Sequence, residues 1–270
     1  LKKQTIQKNK FEVVLLIRQD AIGDFVMWLD TAKEYRKLYP SDKYKIILAG
    51  NKIWCDLAEK LPYWDRVIPV DSKQFKTFPN YRWNLLRKIR DLKIQTVIQP
   101  TFSREFYIGD ALVRASGAPR KVSSVGDMSN RNWLKKIIAD SWHTELISAS
   151  STPLTELERN AEFFSGLTDS KHITRYPKLE IPKSWLPSEF NKKTFYILVP
   201  GSSGAVDGKE WPPKFFTELA KKVFQQTGWE GLICGAKQEH SLGEKILQLC
   251  DVPIRNFCGQ TTLVELASLL

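Results

Sequence analysis

The sequence has no apolar run near the roughly 18 residues that a membrane-spanning helix needs. Its basic start, LKKQTIQKNK, is followed only by VVLLI, too short for the apolar region of a signal peptide. Those two absences make a cytoplasmic protein the expectation. The four cysteines, Cys55, Cys234, Cys250 and Cys258, show no CxxC spacing and three fall in or beside apolar segments, so they read as reduced thiols. With three scattered histidines, a metal site has little to draw on, and none is expected. No GxGxxG occurs, which argues against a nicotinamide oxidoreductase, and no cofactor is expected. There is no solenoid repeat and no low-complexity tract.

Acidic residues are in deficit: 30 against 41 lysines and arginines give a net charge of +11. Such a balance suits an anionic partner, whether nucleic acid, a membrane surface or a phosphorylated small molecule. The basic residues are spread along the chain, as in RKLYPSDKYK, LLRKIRDLK and LAKKVF, and read mostly as solvated helix faces. A polyanion-binding protein without catalysis remains the rival reading. It requires a continuous basic groove with interleaved aromatics, which the scattered charge does not supply, so no nucleic acid is expected. Length points to two domains, and the 42% hydrophobic and 26% charged fractions are those of a globular protein.

Short β-branched runs alternate with segments of helical period. Residues 12–18, 43–50, 65–71, 94–100 and 120–126 read as strands. DFVMWLDTAKEYRKLYP and NYRWNLLRKIRDLK between them carry apolar residues at three- and four-residue intervals. This alternation predicts βαβ units and a parallel sheet. Residues 129–170 read as mainly polar-helical, with Thr152 or Thr155 as a helix cap. The proline-rich, charged KHITRYPKLEIPKSWLPSEFNKK is the linker candidate, giving an N-terminal domain 1–170, a linker 171–193 and a C-terminal domain 194–270. The second pattern reaches only three strands before Leu270, so its sheet is expected to be incomplete and the chain truncated or short of a further segment.

Three turns carry candidate chemistry. In RQDAIGDF, Asp20 and Asp24 stand where a strand gives way to a helix, the end of an open α/β sheet at which ligands bind. Asp24 falls near the helix N-terminus, which favours its charged form and so a proton-accepting role, whereas Asp20 reads as a cap. GSSGAVDGKEW fails the Walker A spacing. It is either a Gly/Ser turn whose N–H groups and Lys209 face an anion or a plain surface turn. In CGAKQEH, Glu239 either accepts from ribose hydroxyls or complements a helix dipole.

In order along the chain, IRQDAIGDFV, YWDRVIPVD, SGAPRKV, ILVPGSS, KEWPPKFFTELA, LICGAKQE and FCGQTTLVELASLL resemble the bacterial heptosyltransferases of glycosyltransferase family 9. The AIGD turn and K-x-WPP-x-x-F are the most specific parts. The resemblance implies a GT-B arrangement of two Rossmann-like α/β domains with parallel sheets. It also implies inverting transfer of a heptose, usually from ADP-heptose, to a lipopolysaccharide core. By position, Asp24 takes the role of general base. Ser202, Ser203, Lys209 and Glu239 take donor contacts, and Arg104, Arg120 and Lys121 are basic positions facing the acceptor.

The implied partners are a nucleotide-sugar donor and an anionic lipid-linked saccharide acceptor, with peripheral contact at the cytoplasmic face of the inner membrane. A family member that uses another sugar in O-antigen or capsule assembly is the alternative within this reading. Two departures stand out. QPTFSREF replaces the usual D-x-Q-G stretch around Arg104, and the family's aspartate-glycine-histidine donor loop would lie past Leu270. The resemblance therefore implies weak donor affinity for the 270-residue chain taken alone.

Overall fold

Seven residues, EVVLLIR, of which the last five are buried, form β1 (Glu12–Arg18), and the amphipathic stretch after it forms α1 (Ile22–Leu38). The molecule is described by a computed structural model, which covers residues 11–179, 194–201 and 210–270. The alternation continues through β2 (Tyr44–Asn51), α2 (Cys55–Ala58), β3 (Arg66–Val70), α3 (Ser72–Thr77), α4 (Pro79–Asp91) and β4 (Thr96–Gln99). A π-helical turn, Phe106–Asp110, leads into α5 (Ala111–Ser116), then β5 (Arg120–Ser124), α6 (Trp133–Asp140), β6 (Glu145–Ile147) and α7 (Glu156–Thr168).

All six strands are parallel, in the order β3-β2-β1-β4-β5-β6. The chain reverses its direction of travel across the sheet between β1 and β4. Open α/β sheets bind ligands beyond the carboxyl ends of the strands at such a switch point.

Side chains alternate across the sheet, so each strand feeds two cores. Leu15, Ile17, Ile47, Ala49 and Val97 pack with Phe75, Leu85, Ile89 and Leu112 of α3, α4 and α5. Val14, Leu16, Ile46 and Leu48 are buried on the other face. Aromatics dominate the layer built by α1 and α7: Phe25 stacks on Trp54 at 4.0 Å, Trp28 on Trp64 at 6.1 Å, and Tyr35 meets Phe164 edge-on at 5.2 Å. Burying Phe25 and Trp28 fixes the rotation of α1 and leaves Asp24 at its rim, half-buried.

Within residues 129–170 the structure adds the strand β6, whose three residues are too few to give a period-2 signal. Thr155, not Thr152, caps α7. Its Oγ1 accepts from Glu158 N at 3.3 Å, and Glu158 Oε2 accepts from Thr155 N at 2.7 Å, a reciprocal capping box.

By its internal contacts the chain divides into two units, Leu1–Leu179 and Glu180–Leu270. Residues 171–179 belong to the first, where Arg175 N donates to Asp30 Oδ2 at 2.8 Å.

The second unit holds β7 (Phe195–Leu198), α8 (Pro213–Thr227), β8 (Glu230–Ile233), α9 (His240–Leu249), β9 (Ile254–Asn256) and α10 (Leu263–Leu269). Its strands are parallel in the order β7-β8-β9. Pro212 and Pro213 open α8, and Gly228 closes it at φ 70°, a left-handed cap that favours glycine. Leu198, Ala220, Ile233, Ile246 and Ile254 form one core of this unit, and Leu232, Cys234 and Leu269 the other. Among the described residues no helix is long and apolar enough to cross a membrane.

Candidate active site

The last residue of β1, Arg18, is buried, and a buried guanidinium requires partners. It pairs with Asp20 and Glu156, donates to Asn160 Oδ1 at 2.8 Å, and lies 5.5 Å from the Trp28 ring centroid. Burial works against its charge; Asp20, Glu156 and, more weakly, Asp24 outweigh that and raise its pKa. Asp20 is tied down further. Thr101 Oγ1 donates to its carboxylate at 3.4 Å, and Trp54 Nε1 and Asn51 Nδ2 donate to its carbonyl at 2.9 and 3.3 Å. Its side chain therefore helps to hold the turn after β1.

That turn borders a polar pocket of about 220 Å³ at the β1/β4 switch point, lined by Gln19, Asp20, Gln99, Thr101, Ser103 and Asn130 among others. Gln19 Nε2 donates to Ala49 O at 2.9 Å and Asn130 Nδ2 to Ser103 O at 2.8 Å, which fixes two sides of the wall. Gln19 and Asp20 fall in RQDAIGDF, and Gln99, Thr101 and Ser103 in QPTFSREF, two stretches the sequence singles out without showing that they meet. They follow different strands and meet only because β4 crosses to lie beside β1.

Asp24 lies in the first turn of α1, and Ala21 at the N-cap makes no side-chain hydrogen bond. The Asp24 carboxylate makes no hydrogen bond or ion pair with a described residue. A Cβ placed on the neighbouring Gly23 would meet nothing within 4 Å.

The three basic residues expected at the acceptor are positioned differently. Arg104 is fully buried, pairs with Asp110 and Asp140, and its Nη1 contacts His143 Nε2 at 3.2 Å. Its guanidinium pairs with the buried Asp110 and the part-exposed Asp140 and does not itself reach solvent, whereas the resemblance had it facing the acceptor. Arg120 and Lys121 pair in the sheet with Thr96 and Val97, and Thr96 and Val97 with Val14 and Leu15. They stand at the amino edge, about 15–20 Å of strand from Asp20. Arg120 is there held by Glu145 at 3.0 Å. The pocket at the carboxyl edge does not include them.

In the second unit, Gly201 follows β7 and Gly235 follows β8, and the Glu239 carboxylate lies against both. A Cβ on Gly235 would come 2.5 Å from Glu239 Oε2, and one on Gly201 would overlap the same carboxylate. Glu239 Oε2 accepts from Ala236 N at 2.5 Å, while Oε1 has no hydrogen bond within the described residues. Burial, then the charge of Glu239, pushes the Cys258 thiol up to about 11. Ser202, Ser203 and Lys209 lie outside the described residues.

A model of the family described as glycosyltransferase family 9 (heptosyltransferase) matches residues 112–270, more than half of the chain. The chain belongs to glycosyltransferase family 9. It is a glycosyltransferase, and the matched residues include KEWPPKFF, while AIGD lies before them.

The fold agrees. A family 9 glycosyl transferase from Veillonella parvula superimposes with a TM-score of 0.77 at 16% identity, over 96% of this chain and 72% of that one. The ADP-heptose lps heptosyltransferase II of E. coli gives 0.71 at 18% identity, over 95% and 75%. The E. coli heptosyltransferase WaaC, solved with ADP-2-deoxy-2-fluoro heptose, gives 0.70 at 16% identity, over 95% and 79%. At such identities the likeness is one of fold, the GT-B class with its larger and smaller parallel sheets. No curated protein matches this family 9 transferase.

Proposed function

We propose that this family 9 transferase moves a heptose, or a closely related sugar, from a nucleoside-diphosphate donor such as ADP-heptose to an anionic, lipid-linked saccharide, with inversion at the anomeric carbon. The observation that carries the reading is Asp24: a half-buried carboxylate in the first turn of α1, beyond the carboxyl edge of the sheet, with no hydrogen bond or ion pair to a described residue. Asp20, four residues earlier, is engaged by Arg18 and Thr101, which leaves Asp24 as the carboxylate available for proton transfer.

In the proposed mechanism the acceptor hydroxyl approaches Asp24, which takes its proton as the oxygen attacks the anomeric carbon. The bond to the leaving diphosphate breaks on the opposite face. Negative charge grows on the diphosphate; the Gly/Ser turn after β7, with Ser202, Ser203 and Lys209, is its proposed cradle. Glu239, fixed across the ends of β7 and β8, is the proposed ribose acceptor through Oε1. The pocket at the β1/β4 switch, walled by amides and hydroxyls, suits the hydroxyls of a saccharide acceptor. The enzyme is proposed to work in the cytoplasm at the membrane that carries this acceptor.

A screen of nucleotide sugars by melting temperature, then by turnover, tests the assignment. ADP-heptose or another nucleoside-diphosphate sugar should stabilise the protein and support transfer. Stabilisation by NAD with no response to any nucleotide sugar would contradict the assignment, and turnover with a hexose donor alone would move the proposal to another sugar.

A further inference from the structure

The eight-residue helix α6 is amphipathic in the reverse of the usual sense. Two of its polar side chains, Lys136 and Asp140, face the protein: Lys136 Nζ donates to Val125 O at 3.0 Å and to Asp140 Oδ2 at 2.6 Å, and Asp140 pairs with Arg104 and Arg131. Its apolar side chains face outwards, with Trp133 66%, Ile137 60%, Leu134 50% and Ile138 39% exposed. These positions form one stripe on a 3.6-residue helix, widened by exposed Met128 and Tyr107. An outward stripe of this kind, beside polar anchors turned inward, marks an interaction surface.

What borders the stripe indicates the occupant. Lys135 Nζ lies 4.7 Å over the Tyr107 ring, Tyr107 meets Phe106 at 5.3 Å, and Phe106 meets Trp142 at 5.1 Å. Phe106 and Trp142 then line a pocket of about 330 Å³ with Arg82, Arg90 and Arg114. Arg114 lies 4.7 Å from the Trp142 ring centroid, no acid lines the pocket, and none of the three arginines forms an ion pair with a described residue. An apolar stripe thus runs into an uncompensated cationic pocket through a band of aromatics.

We propose that this face, α6 with the Arg82–Arg90–Arg114 pocket, is where the transferase docks on an anionic phospholipid bilayer. The apolar stripe enters the acyl boundary, Trp133, Tyr107 and Trp142 occupy the interfacial zone, and the arginines take lipid phosphates. A second copy of the chain fits less well, because a two-fold contact centred here would bring the same cationic pockets together. The proposal deepens the membrane-borne acceptor suggested above and rests on that reading only for the acceptor. Asn130, which lines the switch-point pocket, is three residues before Trp133, so the pocket and the stripe are neighbours along the chain.

Co-sedimentation of the full chain with vesicles, without donor or acceptor, tests it apart from the transfer reaction. Binding is expected to phosphatidylcholine vesicles containing phosphatidylglycerol, weakly to phosphatidylcholine alone, and without competition from inorganic phosphate. Each of Arg82→Gln, Arg90→Gln and Arg114→Gln should lower the partition coefficient about fivefold, from the ~1 kcal/mol a basic side chain gains at an anionic leaflet. The double variant Trp133→Ser, Ile137→Ser should remove binding, with melting temperature and turnover on a water-soluble acceptor unchanged. Failure of the wild type to bind, binding unaffected by the apolar variant, or self-association abolished by it would each overturn the proposal.

Discussion

What a buried guanidinium contributes is best judged from what its removal leaves behind. Arg18→Met would strand the carboxylates of Asp20 and Glu156 beside β1. Both carboxylates reach water in part, so the loss should be about 2–3 kcal/mol, below the ~3–5 of a fully buried pair. Urea denaturation of the two proteins measures it.

Gly235→Ala tests the second unit at the same scale. The new Cβ would displace the Glu239 carboxylate, and the account expects nucleotide affinity to fall roughly tenfold, the value of one charge-assisted hydrogen bond. Unchanged affinity by calorimetry would remove Glu239 from the donor site. The position of Asp24, in the first helical turn after β1, was legible in the sequence because that turn directly follows a strongly apolar strand. Arg104 was not, because its partners Asp110 and Asp140 come later in the chain and meet it only in the fold.

At the scale of elements, α6 and the π-helical turn before α5 are joined by Arg104, Asp110, Arg131, Asp140 and His143. Burial, reinforced by Arg104, pushes the His143 imidazole down to about 4. The folded protein therefore holds His143 neutral, while the unfolded chain takes up a proton near the ordinary 6.5. Its contribution is complete above about 6.5 and is lost as pH falls through that value towards about 4, up to ~3 kcal/mol in all. Stability of His143→Gln should fall less steeply than that of the wild type over this interval, read by denaturant titration at several pH values.

In the first unit the strands up to β5 and the long helices α1 and α4 were readable from periodicity, whereas the short α2, α3 and α5 were not. β6 was too short to show, and α6 misleads any pattern-based reading because its apolar side faces out.

For the whole molecule, the alternation predicted two α/β units, but not the order β3-β2-β1-β4-β5-β6. That order decides which turns share the switch point. It unites the turns after β1 and β4, and it leaves Arg120 and Lys121 at the opposite edge. Parallel pairing depends on crossovers that local sequence does not encode.

The +11 charge has a consequence at this scale. Encounter with an anionic acceptor should weaken as salt shortens the screening length, so kcat/KM should fall several-fold between about 0.05 and 0.5 M salt, and less for an uncharged acceptor.

The account turns on Asp24 as the group that accepts the acceptor's proton. The most direct test is single-turnover transfer by Asp24→Asn, with donor affinity measured in parallel. The account predicts a rate lowered about 10²–10⁴-fold, with donor affinity within a few fold of the wild type. Transfer at close to the wild-type rate would contradict it.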